Sequence, residues 1–424
     1  MTSAQFELRG DGCPGTGGQA TPLRWPLRSG ATATVLADVG WRLTPLAGVP
    51  DAAVDLVRIA GGAYIADRLT RRGSGFSRQI SLTVAVTDPD RWAGSLVNDL
   101  SGLLHLLTGD QWYLTLDADT SPDDNTAQLS GADAAPASLL SGGLDSFLGA
   151  IHLLPQLPGL RFVGHADSAT SVIAAQHRVG TWLAKAYSPV PSYTRLALRQ
   201  AQEKREASSR SRSLLFVTLG AAAVASHGGT ALYVPENGYT SLNIPLHSNR
   251  AGALSTRSTH PETLRRINDI LARAGLNMAV VNPFAEMTKG EAMRAVAATS
   301  PPAGWLDTAA ATVSCSKLDG GRLPGGNPNL NCGLCVPCLV RRATFIAAGL
   351  EDTTRYLAET LAGDSLAMLL ARRRSDVEAV SYGIASGVDD DVIDSGTWPP
   401  GYDLDAAADL VRRGLAELAA VPLP

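Results

Sequence analysis

Two short stretches carry residue types whose spacing can do chemistry. The first is Ser141-Gly-Gly-Leu-Asp-Ser146. Gly142 and Gly143 let the backbone approach a phosphate, and a helix opening at Leu144 aims its positive end at the same point. Ser141 and Ser146 add hydroxyl donors. Asp145 is an anion, so it repels phosphate; it caps the helix or helps hold magnesium. A tight βα turn with a serine cap uses the same residues. Placement at the end of a first strand favours the phosphate reading. The stretch lacks both the GK[ST] ending and the GxGxxG spacing of other nucleotide loops.

The second stretch is Cys315 followed by Cys332-Gly-Leu-Cys335-Val-Pro-Cys338, a C-x16-C-x2-C-x2-C spacing. Each CxxC step wraps two thiolates around one ion, and four thiolates close a structural zinc site. Buried free cysteines on a helix are the plainer alternative. An iron–sulfur cluster needs a further cysteine after three more residues, and Arg342 stands there. The chain has 5 cysteines, too few for a disulfide framework at this length. Their clustering favours a metal in a reducing compartment, and Cys13 stands apart.

Other candidates follow from position. Of 36 basic residues only Lys185, Lys204, Lys289 and Lys317 are lysines, so each is a retained choice. Lys289 opens a helix after a strand, where its ammonium can stabilise negative charge on a ligand. Arg210 and Arg212 sit near a helix start on the same side and can clamp phosphates, or else form a solvated basic face. Glu236, Asn237 and Asn243 follow a strand and offer a carboxylate and two amides to a polar ligand; a polar Asn-Gly turn is the alternative. Asp167 follows another strand, at an adenine position or as a cap. His165 and His177 have no nucleophile partner, and HExxH and GxSxG are absent.

The elements that must hold these residues form an α/β chain. With 424 residues, about three domains are expected. A 45 % hydrophobic content rules out a mainly disordered chain. Residues 1–130 read as an α+β accessory domain, with strands in 31–37, 78–86 and 111–116 and helices in 52–72 and 92–108. Residues 117–136 read as a linker. Residues 136–300 alternate strands and helices, which means a doubly wound parallel sheet with ligands beyond the strands' carboxyl ends. Residues 301–350 carry the cysteines, and 351–424 form a helical extension. The start, Met1 to Gly12, is polar, which predicts no signal peptide. The longest apolar run, Leu214 to Ser226, is about thirteen residues, too short to span a bilayer. No membrane partner and a cytoplasmic location are expected. Net charge −4 and the absence of a basic–aromatic array argue against a nucleic-acid module.

The SGGLDS stretch resembles the SGGxDS loop of the PP-loop, or N-type, ATP pyrophosphatases. That resemblance implies cleavage of ATP between its α- and β-phosphates and transfer of AMP to a substrate oxygen. Together with Ser314-Cys315, the CxxCxxC run, Arg341-Arg342 and Thr288-Lys289-Gly-Glu, the chain resembles the QueC, or 7-cyano-7-deazaguanine synthase, family over roughly residues 136–350. The resemblance implies ATP, Mg2+ and Zn2+ as cofactors and a 7-deazaguanine substrate. The extra N-terminal unit, the C-terminal tail and Pro235-Glu-Asn-Gly-Tyr-Thr-Ser-Leu-Asn243 depart from the stand-alone enzyme. They are similar to the enlarged QueC-like proteins of anti-phage systems, QatC of the Qat system and the counterpart in type IV CBASS. For these the resemblance implies a partner protein's N-terminus as the accepting amine, with ammonia as the alternative, and the N-terminal unit as a docking element. A scaffold that binds nucleotide without turnover is a further alternative.

Overall fold

The computed structural model describes residues 2–13, 15, 18–28, 33–73, 77–121, 134–166, 168–206, 209–247 and 257–424. No helix among them is long and apolar enough to cross a membrane. The chain begins with β1 (Thr2–Gly10), β2 (Thr21–Trp25), β3 (Val35–Ala37), α1 (Asp51–Leu69), β4 (Arg78–Val86), α2 (Pro89–Trp92), α3 (Ser95–Thr108) and β5 (Gln111–Ala118). The sheet order is β2-β1-β4-β5, and every pairing is parallel. The α+β expectation for this unit is thereby corrected. Helices α1 and α3 carry the chain back before β4 and β5 begin, so the strands run the same way. β3 stays out of this sheet and pairs antiparallel with β9 (Leu198–Gln200).

β1 falls where the sequence reads as merely polar. Its Glu7 and Arg9 are buried as an ion pair at 2.6 Å, which lets charged residues occupy a covered strand. Helix α1 is buried almost all round. Its Gly61 and Gly62 make that fit: a Cβ on Gly61 would lie 2.8 Å from Trp25, and one on Gly62 3.1 Å from Leu8.

The second unit runs through β6 (Ala137–Leu139), α4 (Leu144–Leu153), β7 (Arg161–His165), α5 (Thr170–Ala186), β8 (Tyr193–Leu196), β9, α6 (Arg212–Ala225), β10 (Ala231–Tyr233), α7 (Gly238–Ser241), α8 (Pro261–Arg273) and β11 (Ala279–Val281), and all its strands but β9 form a second sheet. Its order is β11-β10-β6-β7-β8, all parallel. The order reverses between β6 and β10, the switch point at which open α/β sheets bind ligands. Neighbouring residues face opposite layers: Phe162 packs with α4 and α5, whereas Val163 joins α6. That second core is continuous with the first unit's core through α1 and α6. The boundary expected near residue 130 lies in 122–133, outside the described residues.

The rest is helical: α9 (Lys289–Ala298), α10 (Trp305–Ala310), α11 (Val336–Ala348), α12 (Leu357–Thr360), α13 (Gly363–Ser386), α14 (Asp390–Asp394) and α15 (Leu404–Ala419). Helices α7, α11, α13 and α15 share one small core, and the four clustered cysteines centre another.

Candidate functional site

The loop after β6 is shaped by its own hydroxyls. Ser146 Oγ donates to the Gly143 carbonyl at 3.0 Å and accepts from the Ser141 amide at 3.2 Å. Gly142 has φ +86°, a left-handed conformation that glycine adopts without strain, and a Cβ there would press on Gln176 at 3.1 Å. Gln176, buried on α5, ties the Ser141 carbonyl (3.3 Å) to that of His165 (2.8 Å). Among the described residues no side chain caps α4, and only the Gly143 amide is taken, by Ser141 Oγ at 3.3 Å, which leaves this helix end able to receive an anion.

Three strand ends meet beside this loop. The Asp145 carboxylate does not cap α4. Its Oδ1 accepts from the Asn237 amide (3.2 Å) and from Nδ2 (3.0 Å), and its Oδ2 pairs with Lys289 Nζ at 2.6 Å. The Lys289 side chain is only 5 % exposed, so this is a desolvated pair. Asn237 caps α7 through Thr240 and donates to Glu236 Oε1 at 3.0 Å; Thr240 Oγ1 donates there too, at 3.1 Å. The Glu236 amide is held by Asn282 Oδ1 after β11, at 3.2 Å. Loops after β6, β10 and β11 are thus stitched into one acidic–basic cluster.

Burial, with the Asp145 charge adding and Lys289 opposing, pushes Glu236 up to about 8. A carboxyl raised on folding stabilises the fold below its unfolded value and loses that contribution as pH rises toward 8. Glu236→Gln keeps the Oε1 acceptor and cannot ionise. Its thermal midpoint is expected to exceed the wild type's above pH 8 and to converge with it near pH 4.5. A midpoint difference independent of pH would refute the assignment.

The remaining sequence candidates are dispersed. The Arg210 amide donates to Asp67 of α1 at 3.0 Å, and its guanidinium donates to the Thr108 carbonyl at 3.2 Å. Asp67 also accepts from Ser211 N (3.2 Å) and Oγ (2.8 Å), so a carboxylate holds the two residues that lead into α6. Arg212 is exposed and lies over Phe216 at 5.6 Å, and Phe216 stacks on His165 at 4.7 Å. Asn243 closes α7 with φ +53° and lines a separate cleft with His260 and Trp398. Asp167 lies outside the described residues.

The four cysteines of the second stretch converge. Their sulfurs lie within 4.8 Å of one another and all are buried. Cys315 to Cys335 is 3.8 Å and Cys332 to Cys338 is 3.9 Å. A tetrahedron with zinc–sulfur bonds of ~2.3 Å has edges of about 3.8 Å, so the donor set fits zinc. The cluster is coupled to the phosphate-type loop. Asn331 Oδ1 accepts from the Ser314 and Cys315 amides, and the Val313 amide donates to the Gly142 carbonyl at 3.0 Å. Arg373 of α13 donates to Cys332 Sγ at 3.4 Å. Gln176, Asn282, Asn331 and Arg373 carry no sequence signal, because each acts through a partner distant in sequence. Cys13 bonds Ser121 instead, at 3.0 Å.

No family model matches the chain. Over 97 residues, 23 % of this chain, the sequence is 38 % identical to the 7-cyano-7-deazaguanine synthases of Cupriavidus taiwanensis and Cupriavidus necator. The match covers 37 % of each relative, so the chain spans little more than a third of their length. That stretch is shorter than the region over which the motifs resemble the family.

Proposed function

We propose that this chain is an ATP-dependent enzyme of PP-loop type that adenylates the carboxylate of 7-carboxy-7-deazaguanine and passes the acyl group to an amine. The observation that carries the reading is the meeting of Asp145, Glu236, Asn237 and Lys289 beside an uncapped helix at the switch point. The partial likeness to 7-cyano-7-deazaguanine synthases supports the substrate class. In this reading the 141–146 amides and hydroxyls hold the pyrophosphate end of ATP, and Lys289 offsets charge as pyrophosphate leaves. Asp145 is the group that would hold a magnesium ion accompanying ATP, supplying further charge neutralisation. Glu236 is the group offered to the base, and Asn237, itself fully buried, holds it in place. Adenylation is needed because a carboxylate is a poor acyl donor and AMP a good leaving group. The four clustered cysteines would hold zinc as a structural ion that fixes the 313–315 turn.

The acceptor amine, in this reading, is the N-terminus of a partner protein within an anti-phage system, with the N-terminal unit as docking element. Because that unit shares its core with α6, surface substitutions test docking better than deletion does. The name of the curated relatives favours a second reading, with ammonia as acceptor and a nitrile as product.

The test is AMP formation from ATP and magnesium in the presence of an ammonium salt as acceptor, with and without 7-carboxy-7-deazaguanine. AMP only with the deazaguanine is the expected result; no AMP in either case would remove the reading. The mass of the product made with ammonia alone separates nitrile formation from protein conjugation.

A further inference from the structure

The phosphate-type loop and the tetracysteine cluster both lie outside residues 351–424, yet the last helix of that extension reaches the candidate site. Glu417 of α15 places its carboxylate on the first turn of α9. It accepts from Thr288 Oγ1 and, through Oε2, from the Gly290 amide at 3.1 Å. Gly290 is what admits it: a Cβ there would lie 2.4 Å from Glu417 Oε1 and 2.7 Å from Ala347. One turn earlier on α15, Arg413 pairs with Glu291, the residue that completes the Thr288 capping box, and donates to the Glu286 carbonyl at 3.2 Å. Lys289 lies between these two grips, on the turn they hold, and projects to Asp145.

The same helix seats α7. A Cβ on Gly414 would fall 2.3 Å from the Tyr239 ring, and one on Gly238 2.7 Å from Leu410. Helix α15 therefore braces both loops that bring Lys289, Glu236 and Asn237 to the switch point. A carboxylate at a helix N-terminus satisfies amides and favours the positive end of the dipole. With that end of α9 filled by Glu417, an incoming phosphate has the open α4 terminus and the Lys289 ammonium to bind.

We infer that Glu417 is a positioning residue: by clamping the Thr288–Gly290 turn it fixes the Lys289 ammonium at Asp145, which makes the C-terminal extension part of the site's machinery. This rests on the role given to Lys289 above. Glu417→Gln removes the charge and one acceptor at nearly constant volume. Gly290→Ala displaces the same carboxylate from the other side.

The test combines kinetics with lysine labelling by an amine-acylating reagent, read residue by residue by mass spectrometry. Only four lysines are present, and Lys185 and Lys204 are exposed internal controls. Both variants are expected to raise Lys289 acylation about tenfold by local loosening, with Lys185 and Lys204 unchanged. Both are expected to lower kcat for AMP formation about tenfold, with KM for ATP within about twofold, since a misplaced group costs the transition state more than binding. Unchanged Lys289 acylation in both variants, or an equal rise at all four lysines, would overturn the role. If wild-type protein makes no AMP, the proposed reaction falls, and the labelling alone still decides whether Glu417 holds Lys289.

Discussion

Asp145→Asn is expected to lower kcat for AMP formation by about 10³-fold, some 4 kcal/mol of transition-state stabilisation, with the fold retained. Asparagine keeps an oxygen for the Asn237 amide, so the β6–β10 stitch survives in part. What it loses is the charge that meets Lys289 at 2.6 Å and, on the proposed reading, the carboxylate that would hold magnesium. A buried ammonium left alone would ordinarily cost about 3–5 kcal/mol. Here Glu236 stands beside it, held in its protonated form largely by burial and by the Asp145 charge. With Asp145 neutralised, burial alone still opposes ionisation of Glu236 while Lys289 favours it, so Glu236 ionises more readily beside Lys289. The variant should therefore keep a thermal midpoint near the wild type's while its pH profile shifts to lower pH. A rate within a few-fold of wild type would remove Asp145 from the mechanism.

That compensation explains what the sequence shows and what it hides. The SGGLDS loop is legible because all its internal hydrogen bonds close within six residues, from Ser141 to Ser146. Lys289 is legible as a rare lysine at a helix start and as part of the Thr288-Lys289-Gly-Glu stretch. Its partner is not, because Asp145 reads locally as a helix cap and the pairing depends on how β6 and β11 are ordered in the sheet. Arg210 shows the converse. Its position on the ligand side of the sheet suggests phosphate binding, but its amide is held by Asp67 and its guanidinium by the Thr108 carbonyl, both from a different unit. The same unit misleads at β1 and α1. Charged residues in β1 are buried as a pair, and α1 is covered on both faces, so one-sided periodicity cannot describe either. The brace from α15 leaves no local pattern at all, since Glu417 is one acidic residue among several on a helix whose face toward α9 is set by tertiary packing.

Cys335→Ser is expected to yield zinc-poor and largely insoluble protein, measured as metal per chain and as soluble yield. The four sulfurs sit at tetrahedral spacing, with Cys315 and Cys335 forming one edge and Cys332 and Cys338 another. A serine hydroxyl in place of one thiolate is a harder and more weakly held ligand, and structural zinc contributes about 10–16 kcal/mol to folding in small domains. The surroundings cannot make up that loss. The buried core here is the sulfurs themselves with Leu323, Leu334, Leu357, Leu361 and Leu369, a small cluster in which the four thiols occupy the centre that the ion would bind together. Arg373 would then face thiolates that no metal neutralises and no tetrahedron orders. The damage should also reach the loop, because Val313 and Asn331 join the cysteine turn to Gly142. Any soluble Cys335→Ser fraction is therefore expected to bind ATP more weakly than wild type, although the substitution touches no nucleotide-facing residue. A soluble variant with full metal content would refute the tetrathiolate site. A soluble, metal-free variant with undiminished ATP affinity would refute the coupling between the two motifs.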